Sequence, residues 1–201
     1  MHNIKVLVLG NDPQLNDIDF DKLDPSIIIL GINRSWQKID KDYLFFNDIE
    51  ILKELIIQHK LSNISSNLIS SDWLSIQSKK LKYTLPDNIQ IFNRKDVSRF
   101  PDSVTCAIEI FSNKIKNASN ITFYIAGVSL MWSEPSHFWK TSDQISLNTH
   151  NISWYKPRFN RILDNFNRLK SLGYTIISVH PNSRLNKIFR TADISSLYRN
   201  S

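Results

Sequence analysis

Ile4-Lys5-Val6-Leu7-Val8-Leu9-Gly10-Asn11 is an apolar run that ends on a glycine and an asparagine. Two later runs repeat it: Ile27-Ile28-Ile29-Leu30-Gly31-Ile32-Asn33 and Tyr43-Leu44-Phe45-Phe46-Asn47-Asp48. These read as three strands of an open α/β sheet. In such a sheet ligands bind in the crevice beyond the carboxyl ends of the parallel strands, so the end residues converge on one site. A carboxamide both donates and accepts, which suits phosphate, ribose and base groups alike. Asn also closes strands simply because it tolerates turn geometry. Three in succession tilt the reading toward a nucleotide site.

Working outward, strands alternate with helical patterns. Ile49, Leu52, Leu55 and Ile56 fall on one helical face, and this predicts a crossover helix over Ile49–His59. Asn67–Ser71 and Ile89–Phe92 are short strand patterns. Between them, Asp72–Asp87 is polar, Lys-rich and interrupted by Pro86, and reads as a mobile or inserted segment. Ser103–Asn117 is helical, with Asp102 or Ser103 as N-cap. Ile121–Gly127, apolar on both faces, is a central strand. Val128–Tyr155 lacks periodicity but is rich in Trp, His and Ser, which predicts an active-site loop or lid. Lys156–Leu172 is an amphipathic helix with Pro157 near its first turn and Gly173 as its stop. Tyr174–Val179 is the last strand, ahead of His180-Pro181-Asn182-Ser183, and the tail from Arg184 is short and basic.

The expected fold is therefore a single α/β Rossmann-like domain over residues 1–201, a mostly parallel sheet with helices on both faces. The chain has 201 residues with 41% hydrophobic content, enough for one full core. One cysteine, Cys106, excludes a disulfide framework and zinc-ligand spacing, and favours a reducing compartment. The start has no basic n-region, and no run of about 20 apolar residues occurs. A cytoplasmic, unanchored protein is expected. A formal charge of +6 favours polyanionic partners.

The residues now carry a resemblance. Leu9-Gly10-Asn11-Asp12-Pro13-Gln14-Leu15 resembles the Gly-Asn-Gly-Pro-Ser-Leu opening of the bacterial lipooligosaccharide sialyltransferases and of related uncharacterised phage and bacterial proteins. In the same order, Ile32-Asn33-Arg34 and Phe46-Asn47 resemble that family's second-strand and third-strand Asn. Ser103-Val104-Thr105-Cys106-Ala107 resembles the helix before its central strand, Tyr124-Ile125-Ala126-Gly127-Val128 the central strand itself, and Pro181-Asn182-Ser183 with Leu185 its closing motif. The six short motifs span most of the chain.

The resemblance implies a glycosyltransferase that uses a nucleotide-sugar donor as substrate, with no cofactor and no metal. It implies donor contacts from Gly10, Asn11, Asn33, Asn47 and Ser103, with Asn182 and Ser183 of the closing motif beside them. Tyr or His groups on the late loop would assist leaving-group departure and acceptor deprotonation. The chemistry agrees: preorganised donors stabilise a departing nucleoside phosphate, and an acceptor hydroxyl needs a base that titrates near neutral pH, which His supplies. His150 is the first candidate for that base; His137 and Asp12 are the others. The sequence departs from the family where Asp12 replaces the second Gly, and where Met131 and His137 align with a phosphate-binding Tyr pair. Sialic acid specificity is therefore not carried over.

Asp17-Ile18-Asp19 and Asp19-Phe20-Asp21 match the Asp-x-Asp pattern of metal-dependent transferases, but they sit in a polar connector and read as a solvated turn. Gly-x-Gly-x-x-Gly is missing, which disfavours a dehydrogenase. Lys156, Arg158 and Arg161 lie among Trp139, Trp154 and Tyr155, a combination of phosphate-neutralising and base-stacking groups. With a bias toward Ile, Asn, Lys and Ser, which suggests an AT-rich genome and suits a phage, this points to a hydroxylated or hydroxymethylated base in DNA as acceptor. A glycan-directed enzyme and a non-catalytic nucleotide-binding module are the alternatives, and neither needs the basic face.

Overall fold

The computed structural model describes residues 3–39, 42–57, 67–93, 102–115, 120–131 and 152–199, with side chains in the last stretch from Lys156 onward. Eight strands form one sheet: β1 (Ile4–Leu9), β2 (Ile28–Ile32), β3 (Tyr43–Phe45), β4 (Asn67–Ser71), β5 (Ile89–Phe92), β6 (Ile121–Ala126), β7 (Thr175–Ser178) and β8 (Arg190–Thr191). Their order is β5-β4-β3-β2-β1-β6-β7-β8, and every pairing is parallel. After β1 the chain builds outward on one side through β5, then returns to β6 and builds outward on the other. The topological switch thus lies between β1 and β6, where an open sheet leaves a crevice.

The alternation of side chains along each strand sets the layers. Val6, Val8, Leu30, Ile32, Phe45, Ile69, Phe123 and Ile125 face a core closed by α3 (Ser103–Lys114) and α4 (Ile152–Ser171). Tyr43, Phe111 and Phe123 stack edge to face through it, at centroid distances of 5.0 and 6.3 Å. Glu109 of α3, nearly buried, is ion-paired with Arg168 of α4 at 2.5 Å. On the opposite face Leu7, Leu9 and Ile29 pack under Leu15, Ile18, Leu23 and Leu197. On that same face Leu44 and Leu68 pack under α1 (Ile49–Ile57) and α2 (Asp72–Lys80).

Three expectations change. Asp72–Asp87, expected as a mobile or inserted segment, is ordered in its first half as α2: Ser71 caps it by accepting from the Trp73 amide, Asp72 opens it, and Lys79 and Lys80 close it. Only Leu74 and Ser78 are buried, too sparse a stripe to stand out. The stretch expected to be loop through Tyr155 ends earlier, since α4 begins at Ile152 and Pro157 lies inside it, costing one backbone bond. Residues 132–151 of that loop lie outside the described residues. The basic tail, expected to follow the last strand, carries a further one. It forms β8 between two 3-10 turns, Arg184–Lys187 and Ile194–Leu197, and buries Leu185 and Leu197. Backbone bonds from Asp24 to Leu197 and from Arg199 to Lys22 tie it to the start of the chain.

Candidate functional site

The strand register lines up the end residues. Leu9 pairs with Gly31 and with Ala126, so Asn11, Asn33 and Val128 follow at equivalent distances past β1, β2 and β6. Phe45 pairs with Ile69, which sets Asn47 opposite Ser71 at the ends of β3 and β4. The carboxyl edge thus carries a row of amides and hydroxyls starting at the switch point.

The three asparagines are in different states. The side-chain oxygens of Asn11 and Asn33 are buried and have no hydrogen-bond partner among the described residues. Asn33 also has φ +52°, the left-handed region that Asn tolerates better than most residues, and it starts a 3-10 turn through Gln37. Asn47 is engaged. Its Oδ1 accepts from the Ser71 amide, the Ser71 hydroxyl and the Ser70 hydroxyl, and its side chain hydrogen-bonds the Cys106 thiol. It therefore joins β3, β4 and α3 as well as facing the edge.

Around the switch point the chain is drawn tight. A Cβ on Gly10 would lie 2.2 Å from the Gly127 carbonyl oxygen, so this glycine is required by the contact between the β1 and β6 ends. Asp12 donates its amide to the Gly127 carbonyl and accepts from the Ser129 amide through Oδ2 at 2.7 Å. Its carboxylate is therefore a latch across the crevice floor. Gln14 adds a second, accepting from the Gly127 amide and donating to the Val179 carbonyl. Leu130, just past β6, has φ +56°, a strained conformation for a bulky side chain and of the kind that gathers at functional sites.

The closing motif packs in behind this loop. The Ser183 hydroxyl is buried, donates to the Val128 carbonyl at 2.7 Å and accepts from the Leu185 amide. Asn182 is exposed and donates its amide to His180 Nδ1 at 3.1 Å. That bond leaves the imidazole proton on Nε2. His180 is 8% exposed, and burial lowers its pKa, with the Asp12 carboxylate pulling the other way.

The α3 terminus completes the rim. Asp102, not Ser103, is the N-cap: its Oδ1 accepts from the Val104 and Thr105 amides, and its Oδ2 from the Thr105 hydroxyl and from Asn165 of α4. Ser103 is half-buried in the first turn.

No protein-family model and no curated protein matches the sequence. Solved structures match it over nearly its whole length. One is the Campylobacter jejuni sialyltransferase CstII in complex with a substrate analogue, cytidine-5'-monophosphate, with a TM-score of 0.53 and 14% identity, covering 100% of this chain and 89% of that one. A second is CstII in complex with a trisaccharide acceptor and CMP, with a TM-score of 0.52, 14% identity, and 98% and 88% of the two chains covered. The monofunctional alpha-2,3-sialyltransferase Cst-I from Campylobacter jejuni also matches, with a TM-score of 0.50, 13% identity, and 99% and 83% covered. The chain has a sialyltransferase-like fold.

In this sialyltransferase-like fold Gly10, Asn11, Asp12, Asn33, Asn47 and Ser183 gather along the carboxyl edge, with Ser103 at the α3 terminus. His137, His150 and Trp139 lie outside the described residues, as does the side chain of Trp154. Lys156, Arg158 and Arg161 are exposed on the first half of α4. Sequence reasoning gave no role to Gln14 or Ser71; their long-range hydrogen bonds show what they hold. Among the described residues no cluster of three or more His, Cys, Asp or Glu is placed to hold a metal, and no helix is long and apolar enough to cross a membrane.

Proposed function

We propose that this chain is a nucleotide-sugar-dependent glycosyltransferase whose donor lies over the ends of β1, β2 and β3. The observation that carries the reading is the pair of orphaned oxygens, Asn11 Oδ1 and Asn33 Oδ1, buried at adjacent strand ends beside the switch point. A buried acceptor without a partner costs about 1–3 kcal/mol, which a ligand bearing ribose hydroxyls or a base amino group would recover. The fold supports the same reading, since its solved neighbours include complexes with CMP. In this reading Gly10, Asn47 and Ser103 contact the donor as well, with Asn182 and Ser183 beside them.

The reaction breaks the bond between the sugar and the nucleoside phosphate and forms one to an acceptor oxygen, whose proton passes to a base. His150 is our choice for that base, with His137 the second candidate. Asp12 ranks third, because its Oδ2 is already engaged by Ser129. No cofactor and no metal enter this scheme. For the acceptor we favour a hydroxylated base in DNA, with Lys156, Arg158 and Arg161 on phosphates and Trp139 and Trp154 beside the base. The exposure of the three cations on α4 supports it. A glycan acceptor is the second reading, favoured by the neighbour solved with a trisaccharide.

The test is calorimetric titration with CMP, other nucleoside monophosphates and nucleotide sugars, followed by mass spectrometry of mixed DNA and oligosaccharide acceptors with and without chelator. Saturable binding of one nucleotide that is lost in Asn33→Gly supports the donor site. Loss of turnover in chelator, restored by magnesium or manganese, rejects the metal-free scheme. A chain that binds a nucleotide yet transfers to no acceptor is a binding module.

A further inference from the structure

A cleft of about 470 Å³ opens at the carboxyl ends of β7 and β8, on the far side of the switch point from Asn33 and Asn47. Its size falls within the roughly 300–1,000 Å³ usual for small-molecule sites. Its polar lining is Gln14, Asp17, His180, Asn186, Thr191 and Asp193. Ile18, Val179 and Ile194 give it apolar walls.

The hydrogen-bonding capacity left in this cleft is specific. Asn186 Nδ2 donates to the carbonyls of His180 and Pro181, both at 3.0 Å. Two carbonyl partners identify the nitrogen, so the other atom is an oxygen, and that oxygen is buried without a partner among the described residues. His180 Nδ1 is taken by the Asn182 amide, which leaves Nε2–H as the donor. Among the described residues the charged lining is two carboxylates, Asp17 and Asp193, with no lysine or arginine. Such a lining opposes phosphates and carboxylates and invites hydroxyl donors. Both carboxylates are exposed while the buried acceptor is a neutral amide, so nothing at depth would pair a cation.

We infer that this cleft binds a neutral, hydroxyl-rich ligand, a single sugar unit, at a site separate from the donor crevice. Hydroxyls would satisfy Asn186 Oδ1, Thr191, Asp17 and the Asp193 oxygen that the Ser195 amide does not take, and the sugar's C–H face would lie on Ile18, Val179 and Ile194.

The test uses the full chain and two-dimensional amide NMR, with methyl glucoside and methyl galactoside as neutral probes, gluconate and ribose 5-phosphate as anions, and methylamine as a cation. The expected result is saturable shifts for a neutral glycoside at Thr191, Asp193 and the Asn186 side-chain amide, with none for the anions or the amine. Asp17→Ala and Thr191→Val, both at exposed positions, should each weaken binding ~3–10-fold, the loss expected for one hydrogen bond. Ala192→Trp should abolish it, and an unchanged thermal midpoint would show that the fold survives; if that variant unfolds, the two surface variants decide. No saturable shift with either glycoside overturns the inference. So do equal shifts from an anion, stronger shifts from methylamine, or binding indifferent to Asp17→Ala and Thr191→Val.

Discussion

Asn47 Oδ1 accepts from the Ser71 hydroxyl at 2.8 Å, an interaction that fixes the end of β3 to the start of α2. The same oxygen takes the Ser71 amide at 3.0 Å and the Ser70 hydroxyl at 3.1 Å. The equivalent atoms of Asn11 and Asn33 hold nothing among the described residues. One residue type thus serves architecture at β3 and leaves open valences at β1 and β2.

That contrast predicts opposite phenotypes. Asn47→Ala removes the shared acceptor of three donors on the buried Ser70 and Ser71 and should cost about 1–3 kcal/mol in urea unfolding. Asn33→Gly keeps the positive-φ backbone and deletes only the carboxamide, so stability should change by less than about 1 kcal/mol while nucleotide affinity falls roughly tenfold. Equal stability losses in the two variants, with unchanged nucleotide binding, would remove the donor role of Asn33.

Gly10→Ala should be among the most damaging single-atom additions in the chain. The new Cβ meets a backbone oxygen 2.2 Å away, and backbone cannot swing aside as a side-chain tip can. Overpacking of this kind costs about 1–3 kcal/mol. Gly173→Ala is the comparison, because no atom lies within 4 Å of its new Cβ and only its φ of +84° is strained. A milder effect at Gly10 than at Gly173 would contradict the close packing of β1 on β6.

His180 gives stability a pH dependence whose sign follows from burial. Its folded pKa lies below the ordinary 6.5 because the buried imidazole resists charging. As pH falls below about 6.5 the unfolded chain takes up a proton that the native chain refuses, so stability declines until the folded pKa is passed. His180→Asn retains an acceptor for the Asn182 amide and should flatten the pH dependence of the urea midpoint in that window. An unchanged slope would exclude His180 as its source.

Cys106 is predicted to be inert in the native state. Burial pushes its thiol up to about 12, with Asp102 and Glu109 adding to the effect, so almost no thiolate exists at neutral pH. A thiol-specific reagent should label it only in step with unfolding. Rapid labelling of the folded chain would show that α3 opens locally.

Much of this was legible because local pattern and tertiary role coincide. Val6 and Val8 face one layer while Leu7 and Leu9 face the other, so β1 is apolar on both faces from Val6 to Leu9 and declares itself a covered strand. α2 did not declare itself, since two buried positions make no stripe, and its stability comes from the Ser71 cap and terminal charges. β8 was invisible for a similar reason: Arg190 and Thr191 are both exposed, and the pairing with Ile177 and Ser178 is what makes them a strand. At the site, the asparagines were readable as strand ends. The engagement of Asn47 was not, because it depends on which residue of β4 lies opposite, and no local pattern encodes that register. The capping carboxylate of Asp102 was readable, but its bond to Asn165 joins two helices far apart in the chain.

The acceptor reading carries the last prediction. Lys156 and Arg161 are exposed near the start of α4, on the segment that follows the late loop. If they neutralise DNA phosphates, binding to a duplex with hydroxymethylated bases must weaken with salt, each neutralised phosphate adding about 0.9 to the logarithmic slope. Lys156→Glu with Arg161→Glu should lower that slope by roughly 0.9 for each phosphate no longer neutralised and abolish transfer to DNA, while nucleotide affinity stays unchanged because Asn11 and Asn33 are untouched. Transfer to a free oligosaccharide that proceeds equally well in the double variant, with no binding of any duplex at low salt, would assign the enzyme to glycans and leave the basic turns of α4 as a solvated surface.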